Sequence, residues 1–282
     1  MRSARIFNPG YDAISTAGNT GGSKPFGGVS TEMDYFYVQQ GDVEQTTLVV
    51  RGDEAKHLAR VLRKTAGERI FVTDGADTMY EAVISRIGKN EVRCDISAVH
   101  RRFQEPCADV TLAVSMLRNP ARFDYLIEKT TELGVRAVIP LQCRRTIVRK
   151  EKRERLEKIA LSAVKQCGRS WIPKIQPVQE FESLIVGSSR WPVKLVLHEK
   201  TDLLRTIPRE IEASRESGNI LLVIGPEGGL TDDEVAGALD AGFRTVSLGA
   251  RRLRTETAAV VAVALAVDRA EKSLPAFGSV NS

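Results

Sequence analysis

Between residues 35 and 99 apolar positions come in short runs that alternate with polar ones. Segments 35–38, 46–50, 69–73, 79–87 and 91–99 read as strands. Short, closely spaced strands of this kind describe a small β-barrel. One helical piece interrupts them. Asp53 stands where an N-cap belongs, Leu58, Val61 and Leu62 share a face, and His57, Arg60, Arg63 and Lys64 are left to solvent.

Past a linker near residues 104–107 the pattern changes. Apolar runs at 110–115, 137–141, 193–197, 220–224 and 245–248 are separated by stretches of helical periodicity. That alternation predicts an α/β domain, a mostly parallel sheet covered by helices on both faces. The first helix is well punctuated: Asn119 as N-cap, Pro120 at its first position, a stripe of Phe123, Leu126, Ile127 and Leu133, and Gly134 as the left-handed stop. A later helix starts at Thr231, which pairs with Glu234 as a capping box. Leu230 and Val235 form its hydrophobic staple, and Gly242 ends it.

Residues 1–32 are rich in Gly, Ser and Thr and lack periodicity, so they read as a flexible extension, closer to a tag or untidy N-terminus than to a transit peptide. A chain of 282 residues with 42% hydrophobic content suffices for two domains with ordinary cores. The longest apolar run, 258–267, is about half the ~20 residues that a membrane helix needs, which predicts no membrane span. The four cysteines are widely spaced and only three histidines could join them, so we expect reduced thiols, no structural zinc, no other metal, and a cytoplasmic protein. Trp171 and Trp191, each near a proline, are expected to pack at loops.

The net charge of +5 is modest but uneven, because Arg144, Arg145, Arg149, Lys150, Lys152, Arg153 and Arg155 crowd one segment. Such a run is either a polyanion footprint or a solvated helix face with Glu151 and Glu154 as ion-pair partners. The candidate chemistry lies elsewhere. Residues 224–229, Ile-Gly-Pro-Glu-Gly-Gly, leave an apolar strand and precede the capped helix. Alone they could be a phosphate loop or a tight turn, although neither a P-loop ending nor GxGxxG is present. A second stretch, Leu248-Gly249-Ala250-Arg251-Arg252-Leu253-Arg254-Thr255-Glu256-Thr257-Ala258, repeats the layout of strand end, glycine, basic loop and helix. Two such loops at the carboxyl ends of strands in one sheet would frame a crevice, the usual ligand position in open α/β folds.

Together IGPEGGLTDDE and SLGARRLRTETA resemble the 16S ribosomal RNA uridine N3-methyltransferases of the SPOUT superfamily. EKTTELGV in the first helix, Arg145 with Val148 and Lys150, Gln166 with Gly168 and Arg169, and His57-Leu58 with Val61-Leu62-Arg63 extend the likeness from about Tyr35 to the last helix. The chain departs from the family's habit at Cys143 and Arg144, and in reading KTTELG for KATELG.

The resemblance implies a PUA-like RNA-binding barrel over 33–103 and a methyltransferase domain over 108–275 whose chain end threads a loop as a trefoil knot. It further implies a homodimer, S-adenosyl-L-methionine as cofactor, and as substrate N3 of a uridine in 16S ribosomal RNA within the small ribosomal subunit. The cofactor set would be Leu197, His198, Glu199, Gly225, Pro226, Glu227, Gly228, Gly229, Leu248, Gly249, Leu253, Arg254 and Thr257. Methylating a ring nitrogen that carries a proton requires removing that proton or stabilising the imide anion. Arg254 is the first candidate, as a guanidinium on a uracil carbonyl, and Glu256 the second, as a base. Each also has a structural reading, Arg254 paired with Glu227 or Glu256 and Glu256 as a partner of the helix dipole. For the RNA, Arg60, Arg63, Lys64, Arg145, Arg149, Lys150 and Lys152 would meet phosphates and Arg169 the target nucleotide. The rival readings are a non-catalytic RNA-binding or assembly factor and a nucleotide-phosphate enzyme.

Overall fold

A computed structural model describes residues 34–148, 152–214 and 218–273. The extension over 1–32, and Arg149 and Lys150 of the basic segment, lie outside the described residues. The chain divides into two compact units: the residues up to Glu105 with Gly168–Trp171, and Pro106–Cys167 with the chain from Ile172 onward.

The first unit contains β1 (Tyr35–Tyr37), β2 (Thr47–Arg51), α1 (Gly52–Lys56), β3 (Arg69–Thr73), β4 (Thr78–Ile87) and β5 (Glu91–Arg101). Its sheet runs β1-β3-β4-β5-β2, with β1 parallel to β3 and the other neighbours antiparallel. Alternation turns Ile70, Val72, Ala82, Ile84, Val92 and Cys94 inward onto Leu48, Val50 and Leu58. Irregular register at Glu81/Ala82 and Ile84/Arg86 curls the sheet over this core. No pairing joins β1 to β2 among the described residues, so the expected barrel is an open, curled sheet. The short helix also differs from its expectation. Arg51, not Asp53, is the N-cap residue, and α1 runs on into a π-turn over His57–Val61. The wider turn shifts the phase of the helix, leaving Leu58 buried but Val61 66% exposed.

The second unit contains β6 (Asp109–Ser115), α2 (Pro120–Glu132), β7 (Ala137–Gln142), α3 (Arg153–Cys167), β8 (Lys174–Ile175), β9 (Gln179–Glu180), α4 (Phe181–Val186), β10 (Val193–Leu197), α5 (Ile207–Glu212), β11 (Asn219–Ile224), α6 (Asp232–Asp240), β12 (Arg244–Val246) and α7 (Thr255–Ser273). Its strands are parallel in the order β12-β10-β11-β6-β7-β8, with β9 also on β7. Both faces are covered, as near-continuous apolar strands require. Ile220, Leu222 and Ile224 of β11 enter one core with Phe123, Leu126 and Ile127 of α2 and Ala259, Ala262, Val263 and Ala266 of α7. Leu221 and Val223 enter the opposite core with Phe181, Leu184, Leu230, Val235 and Ala238.

The helix ends follow the sequence. Asn119 accepts the Ala121 N–H (2.9 Å), and Gly134 has φ +101° where a Cβ would lie 2.2 Å from Pro106 Cγ. The Thr231 capping box is fully formed. Trp191 is buried, its indole N–H donating to Thr111 Oγ1 (3.3 Å), and Trp171 forms an isolated bridge with Ala76.

Candidate active site

Three loops open side by side because three strands end in register. Leu197 pairs with Ile224 across β10 and β11 and with Val246 across β10 and β12. The chain order of the sheet reverses beside β11, so these carboxyl ends lie where open parallel sheets bind ligands. After β10, Leu197 and His198 are half-buried and Glu199 is exposed, with the His198 N–H donating to Val246 O (3.1 Å).

In the loop after β11, a Cβ on Gly225 would lie 2.9 Å from Leu230 Cγ and 3.2 Å from Leu230 N, closer than real side chains come. Pro226 is buried, Glu227 and Gly228 are exposed, and Gly229 takes φ +73° as its N–H donates to Pro226 O (2.8 Å). In the loop after β12, Gly249 has φ +100° and donates its N–H to Ser247 Oγ (3.1 Å), while Leu248 and Leu253 are half-buried. The two loops touch: Arg252 Nη2 donates to Glu227 O (3.5 Å) and Thr255 Oγ1 to Gly225 O (3.4 Å). Arg254 and Thr257 are exposed, and among the described residues the Arg254 guanidinium has no partner. Leu197 and Leu248 pack against the core beneath these loops, beside Pro226 and the half-buried Leu253. Glycines at 225, 228, 229 and 249 put no side chain between these loops and a ligand, which suits S-adenosylmethionine gripped through peptide groups.

A further contact of these loops, with the start of α2, went unread in the sequence. The Arg118 N–H donates to Glu227 Oε1 (3.3 Å), and Arg122 Nε lies 3.6 Å from Glu256 Oε1. Glu256 is 7% exposed, and its Oε2 is sealed without a hydrogen-bond partner. A base must present an oxygen to its substrate, so this inward carboxylate braces the starts of α2 and α7 instead. The pairings of Arg254 with Glu227 or Glu256 are not formed.

The basic set disperses. In the first unit Arg60 and Arg63 are exposed and have no side-chain partner among the described residues, whereas Lys64 pairs with Asp34 and Glu68, both at 3.3 Å. Lys152 is exposed, and Arg145 donates to Gly228 O (2.7 Å). Arg169 is the clear correction. It is 2% exposed, its Nε and Nη2 donate to the Glu105 carboxylate (3.2 and 2.5 Å), and it has no surface to offer a nucleotide. Glu105 also accepts the N–H groups of Ser170 (3.0 Å) and Trp171 (2.9 Å). Burial pushes its carboxyl up against the opposing pull of Arg169.

No disulfide joins the cysteines, and burial raises the thiols of Cys94 and Cys143 to about 12. Among the described residues no cluster of His, Cys, Asp and Glu could hold a metal ion, and no helix is long and apolar enough to cross a membrane.

A family model described as an RNA methyltransferase domain matches residues 104–267, and one described as an RNA methyltransferase PUA domain matches residues 50–97. The chain is 31% identical over 231 residues to the ribosomal RNA small subunit methyltransferase E of Bacillus subtilis, covering 78% of this chain and 89% of that protein. Identity to its Mycobacterium tuberculosis counterpart is 32% over 240 residues, covering 81% and 88%. Among solved structures it resembles a ribosomal RNA small subunit methyltransferase E from Neisseria gonorrhoeae bound to S-adenosyl methionine, with TM-score 0.72, 31% identity, and coverage of 83% and 96%. It also resembles a probable rRNA-methyltransferase from Porphyromonas gingivalis, with TM-score 0.72, 34% identity, and coverage of 82% and 95%.

Proposed function

Because the chain belongs to the ribosomal RNA small subunit methyltransferase E family, we propose that it methylates N3 of a uridine in 16S ribosomal RNA within the small ribosomal subunit, using S-adenosylmethionine. The observation that carries this reading is the meeting of the glycine loop, the 247–254 loop and the end of β10, with the exposed Arg254 guanidinium of the second loop lacking a partner among the described residues. When bound, the cofactor supplies an electrophilic methyl group on a sulfonium.

This chain's own residues do the rest. Gly225, Pro226, Glu227, Gly228 and Gly229, with Leu197, His198, Glu199, Leu248, Gly249, Leu253 and Thr257, would hold the cofactor through peptide groups. Arg254 would place its guanidinium on a uracil carbonyl and stabilise the imide anion formed as the N3 proton passes to water. Glu256, turned toward Arg122, would keep the starts of α2 and α7 in place and leave that charge to Arg254. Arg60, Arg63, Arg149, Lys150 and Lys152 would neutralise phosphates, with the first unit acting as a PUA domain. The reading includes a homodimer, a trefoil knot formed where the chain passes from the 247–254 loop into α7, and action in the cytoplasm on a subunit.

The test is transfer of radiolabelled methyl from S-adenosylmethionine to naked 16S RNA and to small subunits, followed by nucleoside analysis. Label in 3-methyluridine is the expected result. Cofactor binding with no label in any RNA would favour an assembly factor of the same fold.

A further inference from the structure

The turn that follows β7 is fastened to the glycine loop by contacts that the motifs do not announce. The Cys143 N–H donates to Thr146 Oγ1 (2.9 Å), the Thr146 N–H donates back to Cys143 O (3.0 Å), and Thr146 Oγ1 shares a hydrogen bond with Ser115 Oγ (2.7 Å). Residues 143–146 are thereby fixed to the ends of β6 and β7. The Arg144 N–H donates to Glu234 Oε1 (2.8 Å), while Glu234 Oε2 accepts the Thr231 N–H (2.7 Å). One carboxylate on a residue only 3% exposed therefore ties the turn to the start of α6, directly after the glycine loop.

From this platform the Arg145 side chain runs along the loop. Its Nη1 donates to Gly228 O at 2.7 Å. Its Cδ would lie 3.4 Å from a Cβ on Gly228, and its Nη1 4.0 Å from one on Gly229. Adjacent glycines have no side chains to hold them and lose the most conformational freedom on ordering. A charge-assisted bond to the Gly228 carbonyl, with the Gly229 N–H of the same peptide donating to Pro226 O (2.8 Å), therefore fixes which way that peptide faces.

We propose that Arg145 is a positioning residue for the cofactor, fixing the Gly228 carbonyl and with it the orientation of that peptide in the glycine loop. The inference rests on the methyltransferase reading of that loop. It gives Arg145 a task distinct from the phosphate contact its sequence neighbourhood suggests, and it follows from where the side chain ends, at a backbone oxygen of the loop.

The experiment titrates S-adenosylmethionine and S-adenosylhomocysteine by calorimetry into the full chain, its Arg145→Ala and Arg145→Lys variants, and Arg144→Ala as a neighbouring loss of charge. Binding of a small-subunit ribosomal RNA fragment is measured alongside. Arg145→Ala should weaken both cofactor forms about tenfold, the scale of one charge-assisted hydrogen bond. Lysine, which can donate one bond to a carbonyl, should recover most of that loss, and Arg144→Ala should bind like the unaltered chain. Hydrogen exchange at the Gly229 amide should quicken in Arg145→Ala and not in Arg145→Lys, a readout that remains interpretable if the alanine variant melts early. Unchanged cofactor affinity in Arg145→Ala, or a loss confined to the RNA fragment, would overturn the proposal. Failure of the unaltered chain to bind either cofactor form would instead overturn the methyltransferase reading and take this inference with it.

Discussion

Arg254 is an arginine on a loop rich in arginines, and its neighbours decide what it can do. Both acids that could have neutralised it are engaged elsewhere, Glu227 by the Arg118 N–H and Glu256 by Arg122. A guanidinium left free on a loop that touches the glycine loop can act on charge that develops in the transition state. Arg254→Ala should therefore lower kcat by about a hundredfold while cofactor affinity changes far less, since removing one such donor costs about that much. Single-turnover methyl transfer and calorimetry separate the two, and the opposite ranking would identify Arg254 as a cofactor clamp. The loop glycines at 225, 229 and 249 are legible in the sequence because only glycine tolerates the positive φ at 229 and 249 or the crowding at Leu230. The partners of Arg145 and Arg169 are not, because sequence displays a charge and not what it meets. Arg169 finds its carboxylate 64 positions earlier in the chain.

Among the elements, those with local signatures were readable and those held by neighbours were not. The caps of α2 and α6 and the four long strands β6, β7, β10 and β11 stand where their patterns put them, whereas β12 covers Arg244–Val246 and not the expected 245–248. By contrast β8 and β9 span two residues each, and α4 and α5 six each, too short for either period to register. The π-turn escaped notice because it displaces a single side chain, Val61, from the expected face. The capping box also carries more than its motif implies, since Glu234 holds the start of α6 with one oxygen and the Arg144 N–H with the other. Thr231→Ala should cost about 1 kcal/mol, the ordinary value of an N-cap. Glu234→Ala should cost more, because it strands a donor on each of two elements. Urea unfolding of the two variants checks the order, and equal losses would mean that the bond to the Arg144 turn contributes nothing.

At the scale of the whole molecule, contiguous reading places a boundary near residue 104 and assigns everything beyond it to the second domain. The first compact unit also includes Gly168–Trp171, a four-residue excursion after α3. Ser170 O accepts from Thr73 Oγ1 (3.0 Å) and the Asp77 N–H (3.1 Å), and the Ser170 N–H donates to Phe103 O (3.1 Å). The Arg169–Glu105 pair lies at the centre of this segment, with side chains 3% and 1% exposed. Removing one partner of a buried pair strands the other charge, at about 3–5 kcal/mol. Arg169→Ala should therefore destabilise the first unit by that amount, read from hydrogen exchange in β3–β5, while cofactor affinity holds. The loss should also depend on pH. Burial already pushes Glu105 up, and without Arg169 the folded carboxyl would bind its proton more tightly still, above the ordinary value of 4.5. The folded variant then carries more protons than the unfolded chain, so its stability rises as pH falls. Part of the defect should disappear as the pH falls from neutrality toward that ordinary value, and the double variant Glu105→Leu with Arg169→Leu should show no such recovery. A single variant that loses less than about 1 kcal/mol, or whose loss does not ease as the pH falls, would mean that the buried pair does not hold residues 168–171 in the first unit.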